Sequence, residues 1–229
     1  MSGIRFHFDE DGGYLFKLGK AEYLKDIQEG NLRFNSLESY RSFDSKDSNV
    51  KNAIQDEKEG TESFILQDKN TSFILQHPLL GNKPIDITQS IVSMSVMPNT
   101  NRYISCFSYF TYSDCVNKTI FDDKILENPD WDSVLLILDS NDFISNLEKA
   151  CKGMSFRYGK VTYKDFSNGI ENADEFVKSK EYEYQKEYRI SIVPSITTKD
   201  SVTIPFEKVE SVIIPAKEFR ESFILENQK

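Results

Sequence analysis

Histidine and cysteine are scarce in this chain: His7 and His77 are the two histidines among 229 residues, and Cys106, Cys115 and Cys151 are the three cysteines. The cysteine count is odd, no CxxC pair occurs and the histidines lie far apart, which excludes a disulfide framework and a zinc site. Walker, GxGxxG, HExxH and GxSxG motifs are all missing, so phosphoryl transfer, zinc hydrolysis and serine-type acyl transfer lack their usual scaffolds. The opening Met1-Ser-Gly-Ile-Arg-Phe-His has no apolar leader core, and no later run reaches the length of a membrane span. The expectation is a cytoplasmic, reduced protein with no membrane partner. No linker rich in Pro, Ser or Gly divides the chain, so residues 1–229 read as one domain. Basic excess is absent too. The net charge of -9 argues against broad attraction to nucleic acid, although a local basic groove can exist inside an acidic protein.

What is present suits a packed α+β domain: 38% hydrophobic residues, 13% aromatic and 28% charged. Tyr14–Leu18 reads as a strand ending at Gly19. Ala21, Leu24 and Ile27 recur at helical spacing over residues 21–29, and Gly30 supplies a stop. Asn31–Asn35 alternates, with Leu32 and Phe34 on one side and Arg33 on the other, and leads into a single helical turn at 36–41. Residues 43–62 form a long acidic loop, read either as a lid or target-recognition segment or as solvated surface. The triplets Phe64-Ile-Leu and Phe73-Ile-Leu predict a hairpin. Tyr103–Phe110 is a continuous apolar run of the kind a central strand carries. Asp132–Leu138 predicts another buried strand, and Asn141 is placed to cap a helix that Gly153 ends. Residues 156–163 predict one more strand, 171–178 a short helix, and 201–206 with 209–214 a closing hairpin. The sum is about eight strands and three or four helices.

The segment Tyr182–Val193 carries the strongest local pattern. Alternation over its length sends Tyr184, Tyr188, Ile190 and Ile192 to one face and Glu183, Gln185, Glu187, Arg189 and Ser191 to the other. On that reading Gln185 and Glu187 stand about 7 Å apart along one strand, too polar a pair to be buried without partners or a ligand.

These residues resemble the ADP-ribosyltransferase family. Gln185-Lys-Glu187 looks like the family's Gln-x-Glu on a late strand. Ser105-Cys-Phe-Ser108 is similar in place to its Ser-Thr-Ser strand, with Cys106 and Phe107 between the serines. Leu15-Phe-Lys17, then a helix, then Gly30-Asn-Leu-Arg-Phe resembles its strand-helix-strand opening, with Lys17 where the family shows Arg or His. The Gly-x-Leu-x-Phe and Gln-x-Glu-x-Arg elements are also similar to an uncharacterised bacterial and phage-associated domain family.

The resemblance implies two packed, mostly antiparallel small sheets that bind NAD as substrate and a protein or nucleic-acid acceptor. It implies a glycosyltransferase acting as a toxin or defence effector, with an antitoxin or other partner protein. Glu187 would stabilise the positive charge that develops on the ribose as nicotinamide leaves, and Gln185 would orient the acceptor. Lys17, Arg33, Arg41, Tyr40, Ser105 and Ser108 would contact NAD, with Arg33 or Arg41 on the pyrophosphate. Tyr14, Phe16 or Tyr40 would stack on nicotinamide or adenine.

Each assignment has a plainer rival. Glu187 and Arg189 also read as a same-face ion pair on an exposed edge, Ser105 and Ser108 as satisfied core hydroxyls, Lys17 as a rim lysine, and Cys106 as a small buried hydrophobe. Two further function classes stand beside the enzyme: a catalytically inactive nucleotide- or protein-binding module of the same fold, and a metal-dependent nuclease using Asp56, Glu57 and Glu59.

Overall fold

The computed structural model describes residues 4–6, 13–41, 62–66, 74–75, 85–86, 92–96, 101–111, 113–114, 125, 131–166, 169–170, 174–195, 200–219 and 223–225. In chain order the elements are β1 (Ile4–Phe6), β2 (Gly13–Gly19), α1 (Ala21–Gln28), β3 (Asn31–Ser36), α2 (Leu37–Arg41), β4 (Glu62–Leu66), β5 (Ile74–Leu75), β6 (Ile85–Asp86), β7 (Val92–Val96) and β8 (Tyr103–Thr111). They continue with β9 (Ser133–Ile137), α3 (Ser140–Ala150), β10 (Ser155–Lys160), β11 (Thr162–Lys164), β12 (Gly169–Ile170), β13 (Val177–Ser179), a 3₁₀ turn (Lys180–Gln185), β14 (Glu187–Val193), β15 (Ser201–Pro205), β16 (Ser211–Pro215), α4 (Ala216–Phe219) and β17 (Phe223–Leu225). The chain is α+β, and its sheet is mostly antiparallel.

Eight strands form one hydrogen-bonded sheet with a fork in it. Strand β8 is the trunk. Along one edge it pairs with β14, Tyr103 lying opposite Ile192 and Ser108 opposite Glu187, and β14 pairs in turn with β10. Its other edge is shared: β3 takes Tyr103 and Ile104, while β2 takes Ser108 to Thr111. Strand β2 leads to β9 and β16, and β3 leads to β15. Opposite residues 105–107, neither branch pairs with the trunk. The eight strands are thus joined through β8 rather than divided into two separate sheets.

Apolar alternation explains what fills the fork on one side. Leu32 and Phe34 point inward from β3, Tyr103 and Phe107 from β8, and Ile190 and Ile192 from β14; Leu24 and Ile27 of α1 and Phe143 and Leu147 of α3 close over them. A second cluster, with Phe16, Phe110, Val134, Leu136 and Phe219, covers the opposite face of the β2–β9–β16 branch. Asp132 fixes the start of α1 by accepting a hydrogen bond from the Ala21 amide at 3.0 Å. The predicted stop at Gly30 is realised with φ +88°, and a Cβ there would meet the Phe206 carbonyl oxygen at 2.5 Å.

Several connections differ from the sequence expectations. Strand β4 pairs with β7 and β12, and β5 with β6, so the two Phe-Ile-Leu triplets form no hairpin together. Strands β15 and β16 do not close a hairpin either, because each continues a different branch. Asp139, not Asn141, caps α3, its carboxylate accepting from the Asp142 amide at 2.8 Å. The expected strand over 156–163 breaks at Val161 into β10 and β11, and the end of the predicted 171–178 helix is strand β13, paired parallel to β11. Residues 43–61, with Asp56, Glu57 and Glu59, lie outside the described residues, as do His7, His77 and Cys115. Among the described residues no helix is long and apolar enough to cross a membrane.

Candidate functional site

The late segment does not run as one strand. Residues Lys180–Gln185 form the 3₁₀ turn, Lys186 takes the left-handed conformation at φ 45° and ψ 47°, and extended backbone begins at Glu187. Four alternating residues, Tyr-Glu-Tyr-Gln, are too few to separate a strand from a tight helical turn, and tertiary bonds decide. The Ser108 hydroxyl donates to the Gln185 carbonyl at 2.9 Å, and the Tyr109 amide donates to the Lys186 carbonyl at 3.0 Å. The Lys186 ammonium pairs with Asp114 at 2.5 Å, and Asp114 also accepts from the Thr111 amide. Gln185 and Glu187 still come together, through a turn rather than through strand alternation.

Lys178 of β13 joins them. Its ammonium donates to Gln185 Oε1 at 2.8 Å and to Glu187 Oε1 at 2.9 Å, and it lies 4.6 Å from the centre of the Tyr182 ring. Arg189 Nε donates to the other Glu187 oxygen at 2.6 Å, while its Nη1 donates to the Glu175 carbonyl at 2.6 Å. The same-face ion pair of Glu187 and Arg189 is therefore formed, but it is buried in an interior strand and not on an exposed edge. The Glu187 backbone is fixed as well: its amide donates to the Tyr163 hydroxyl at 2.8 Å, and its carbonyl accepts from the Val161 amide at 2.9 Å.

A cavity of about 290 Å³ opens at the fork, and Lys17, Tyr40, Lys178, Gln185, Glu187 and Arg189 are among its lining residues. Its floor is the trunk strand. The Tyr109 amide points to β14, so alternation along an antiparallel ladder turns the backbone of Cys106 toward the fork, where neither branch meets it. Lys17 supplies the partner, its ammonium donating to the Cys106 carbonyl at 2.5 Å, with Ser105 Oγ at 3.5 Å and the Phe107 ring centre at 4.7 Å. A side-chain cation thus completes the ladder where the strands part.

Strand parity separates the two serines. Ser108 and Cys106 face the cavity with Glu187, whereas Ser105 points to the opposite face, buried beside Lys17 but outside the cavity lining. Tyr40 does line the cavity, its hydroxyl accepting from Asn35 Nδ2 at 3.4 Å. Arg33 does not: it is exposed, with its Nε donating to Asn35 Oδ1 at 3.1 Å. The side chain of Arg41 lies outside the described residues. Phe16 is sealed in the second core cluster between Phe110 and Phe219, and Tyr14 stacks on Phe110, so neither offers a ring to the cavity. Trp131 and Tyr184 do, and sequence reasoning passed over both.

Burial and charge set the ionisation of the site. Burial alone would raise the Glu187 carboxyl, but Arg189 and Lys178 outweigh it and hold the group at about 2. Glu187 is a carboxylate at neutral pH. Burial lowers the Lys17 ammonium below its ordinary value, with Cys106 and Glu187 opposing the shift. The Cys106 thiol is pushed up to about 11, first by burial and then by Glu187, which makes it a poor nucleophile. Burial also raises the Tyr40 hydroxyl. Among the described residues no group of His, Cys, Asp and Glu is arranged to hold a metal ion. Comparison with family models, curated proteins and solved structures finds no match for the chain.

Proposed function

We propose that this chain is an ADP-ribosyltransferase-like enzyme that takes NAD as substrate in the fork cavity and transfers ADP-ribose to a protein or nucleic-acid acceptor. One observation carries the reading: Gln185 and the ionised Glu187, set side by side, line a cavity that Lys17, Lys178 and Arg189 also line. Three cations against one carboxylate favour an anionic ligand, inside a protein whose net charge is -9. Cleavage at the ribose develops positive charge, which a fixed carboxylate in a dehydrated site stabilises strongly. Glu187 supplies that charge. Ligand pockets span about 300 to 1,000 Å³, so a cavity of about 290 Å³ suits the nicotinamide–ribose half of the dinucleotide better than the whole.

A second reading, a binding module without turnover, draws on a specific feature of the same site. Both Glu187 oxygens are ion-paired, and Arg33 stands outside the cavity. Nicotinamide release from labelled NAD, with and without cell lysate, separates the two. The enzyme reading expects release and label transfer that Glu187→Ala abolishes. NAD binding by calorimetry without any release would establish the module instead, and neither binding nor release would remove both.

A further inference from the structure

Lys178 carries no site signal in the sequence, yet its ammonium donates hydrogen bonds to both side chains of the Gln185–Glu187 pair. Its side chain is 5% exposed, and it reaches the pair from β13, a strand outside the forked sheet. An ammonium can only donate, so Gln185 must present its oxygen to Lys178, and its amide nitrogen then lies 3.4 Å from the Tyr184 hydroxyl. The same ammonium holds one Glu187 oxygen while Arg189 holds the other. Lys178 thus sets the amide flip, and it shares the carboxylate rotation with Arg189.

We propose that Lys178 is the positioning residue of this cavity, orienting the Gln185 amide and holding the Glu187 carboxylate in place for work on an anionic ligand. The functional half of this inference rests on the reading given under Proposed function; the structural half does not. The groups that face Glu187 are Lys178 from β13, Arg189 from its own strand, Lys17 from β2, Cys106 from β8, Tyr163 from β11 and Tyr40 from α2. Among the described residues Lys178 and Arg189 form ion pairs with it, and Arg189 also donates to the Glu175 carbonyl. Removing Lys178 therefore leaves the carboxylate one cation short in a buried site.

The test uses Lys178→Met and Lys178→Arg in the full chain, with near-ultraviolet circular dichroism to establish that both fold. Carbon NMR of carboxyl-labelled glutamate, with Glu187→Gln to assign the signal, follows the ionisation directly. In Lys178→Met the midpoint should rise by about one pH unit or more, and Lys178→Arg should restore much of the difference. Nicotinamide release should show kcat lowered about tenfold or more in Lys178→Met with KM moved far less, because positioning and not uniform binding has been lost. An unmoved Glu187 midpoint in a folded Lys178→Met overturns the inference whether or not NAD is cleaved. Absence of cleavage in the wild type with a raised midpoint in the variant would instead retire the enzyme reading and keep Lys178 as the group that fixes the pair. Where the wild type cleaves NAD and Lys178→Met does so equally well, the positioning role is wrong and the enzyme reading stands.

Discussion

Glu175 and Glu187 are both buried carboxylates served by arginine, and they differ in what surrounds them. Glu175 Oε1 accepts from Arg157 and Ser191 at 3.0 Å each and from Arg102, and the Glu175 carboxyl takes no part in the cavity lining. Glu187 meets one cation per oxygen and lines the cavity. A carboxylate ringed by donors from β10, β14 and the residue before β8 ties the 174–179 crossover down to the sheet. One held from two sides with a cavity before it presents its charge to that cavity. Arg189 belongs to both, its Nη1 on the Glu175 carbonyl and its Nε on Glu187.

The shared arginine should therefore give the largest effect. Arg189 is 1% exposed, and Arg189→Ala leaves Glu187 short of a buried partner and the Glu175 carbonyl short of a donor. Breaking a buried pair from one side costs about 3 to 5 kcal/mol, read here as a lower urea midpoint. Nicotinamide release should fall in the same variant. A cost below about 1 kcal/mol would mean that the two acidic centres are not coupled through Arg189.

Glu187→Gln comes next and should separate chemistry from stability. The folded carboxyl lies at about 2 against an ordinary 4.5, so its stabilising contribution is present above 4.5 and is lost as pH falls toward 2. The variant should lose about 3 kcal/mol at neutral pH and show a flatter stability profile between those two values, measured by urea unfolding at each pH. Nicotinamide release should drop at least about a hundredfold, the scale on which a charge-stabilising group acts. An unchanged acid limb of stability would show that Glu187 is not strongly paired.

Glu175→Gln is expected to be milder and one-sided. Its partners Arg102 and Arg157 are 30% and 45% exposed and can turn to water, so the cost should be about 1 to 2 kcal/mol by the same unfolding measurement. The rate of nicotinamide release should stay within about threefold of the wild type. A loss of turnover as large as that of Glu187→Gln would erase the distinction between the two carboxylates.

How much of this was readable beforehand depends on the kind of signal each residue leaves. Strand β8, the β2–α1–β3 opening and the 187–193 strand follow from apolar runs, alternation and Gly30, because burial of a whole face imposes a period. Glu187 and Gln185 come together as the pattern predicts but by another route, since the 3₁₀ turn depends on Ser108, Tyr109 and Asp114 from elsewhere in the chain. Ser105 resembles a motif residue, but strand parity puts Cys106 and Ser108, not Ser105, on the face of Glu187. Lys178 left no trace because a buried cation is defined by its partners, not by its neighbours in sequence. The β15 and β16 pairings failed for a related reason: adjacent strands usually form hairpins, and only the fork sends these two into different branches.

Lys186 offers the smallest effect and the sharpest contrast, for it is the non-glycine residue with positive φ among the described residues, and it stands between Gln185 and Glu187. Left-handed backbone costs a side chain about 1 to 2 kcal/mol, which Lys186→Gly would relieve. Glycine also loses about 0.5 to 1 kcal/mol more entropy on folding, and the partly exposed pair with Asp114 contributes little. The three terms nearly cancel, so Lys186→Gly should unfold within about 0.5 kcal/mol of the wild type and retain the site. Lys186→Val keeps the strain and adds β-branching, which left-handed backbone tolerates poorly, so it should lower the urea midpoint and slow nicotinamide release together. The Glu175 ion pairs lie outside this turn, so a strained 186 should disturb the carboxylate at the cavity and leave the anchoring one in place. Ring currents from Phe176, whose ring lies 4.9 Å from the Arg157 guanidinium, report on that anchor by NMR, and their displacement in Lys186→Val would show that the two centres move as one.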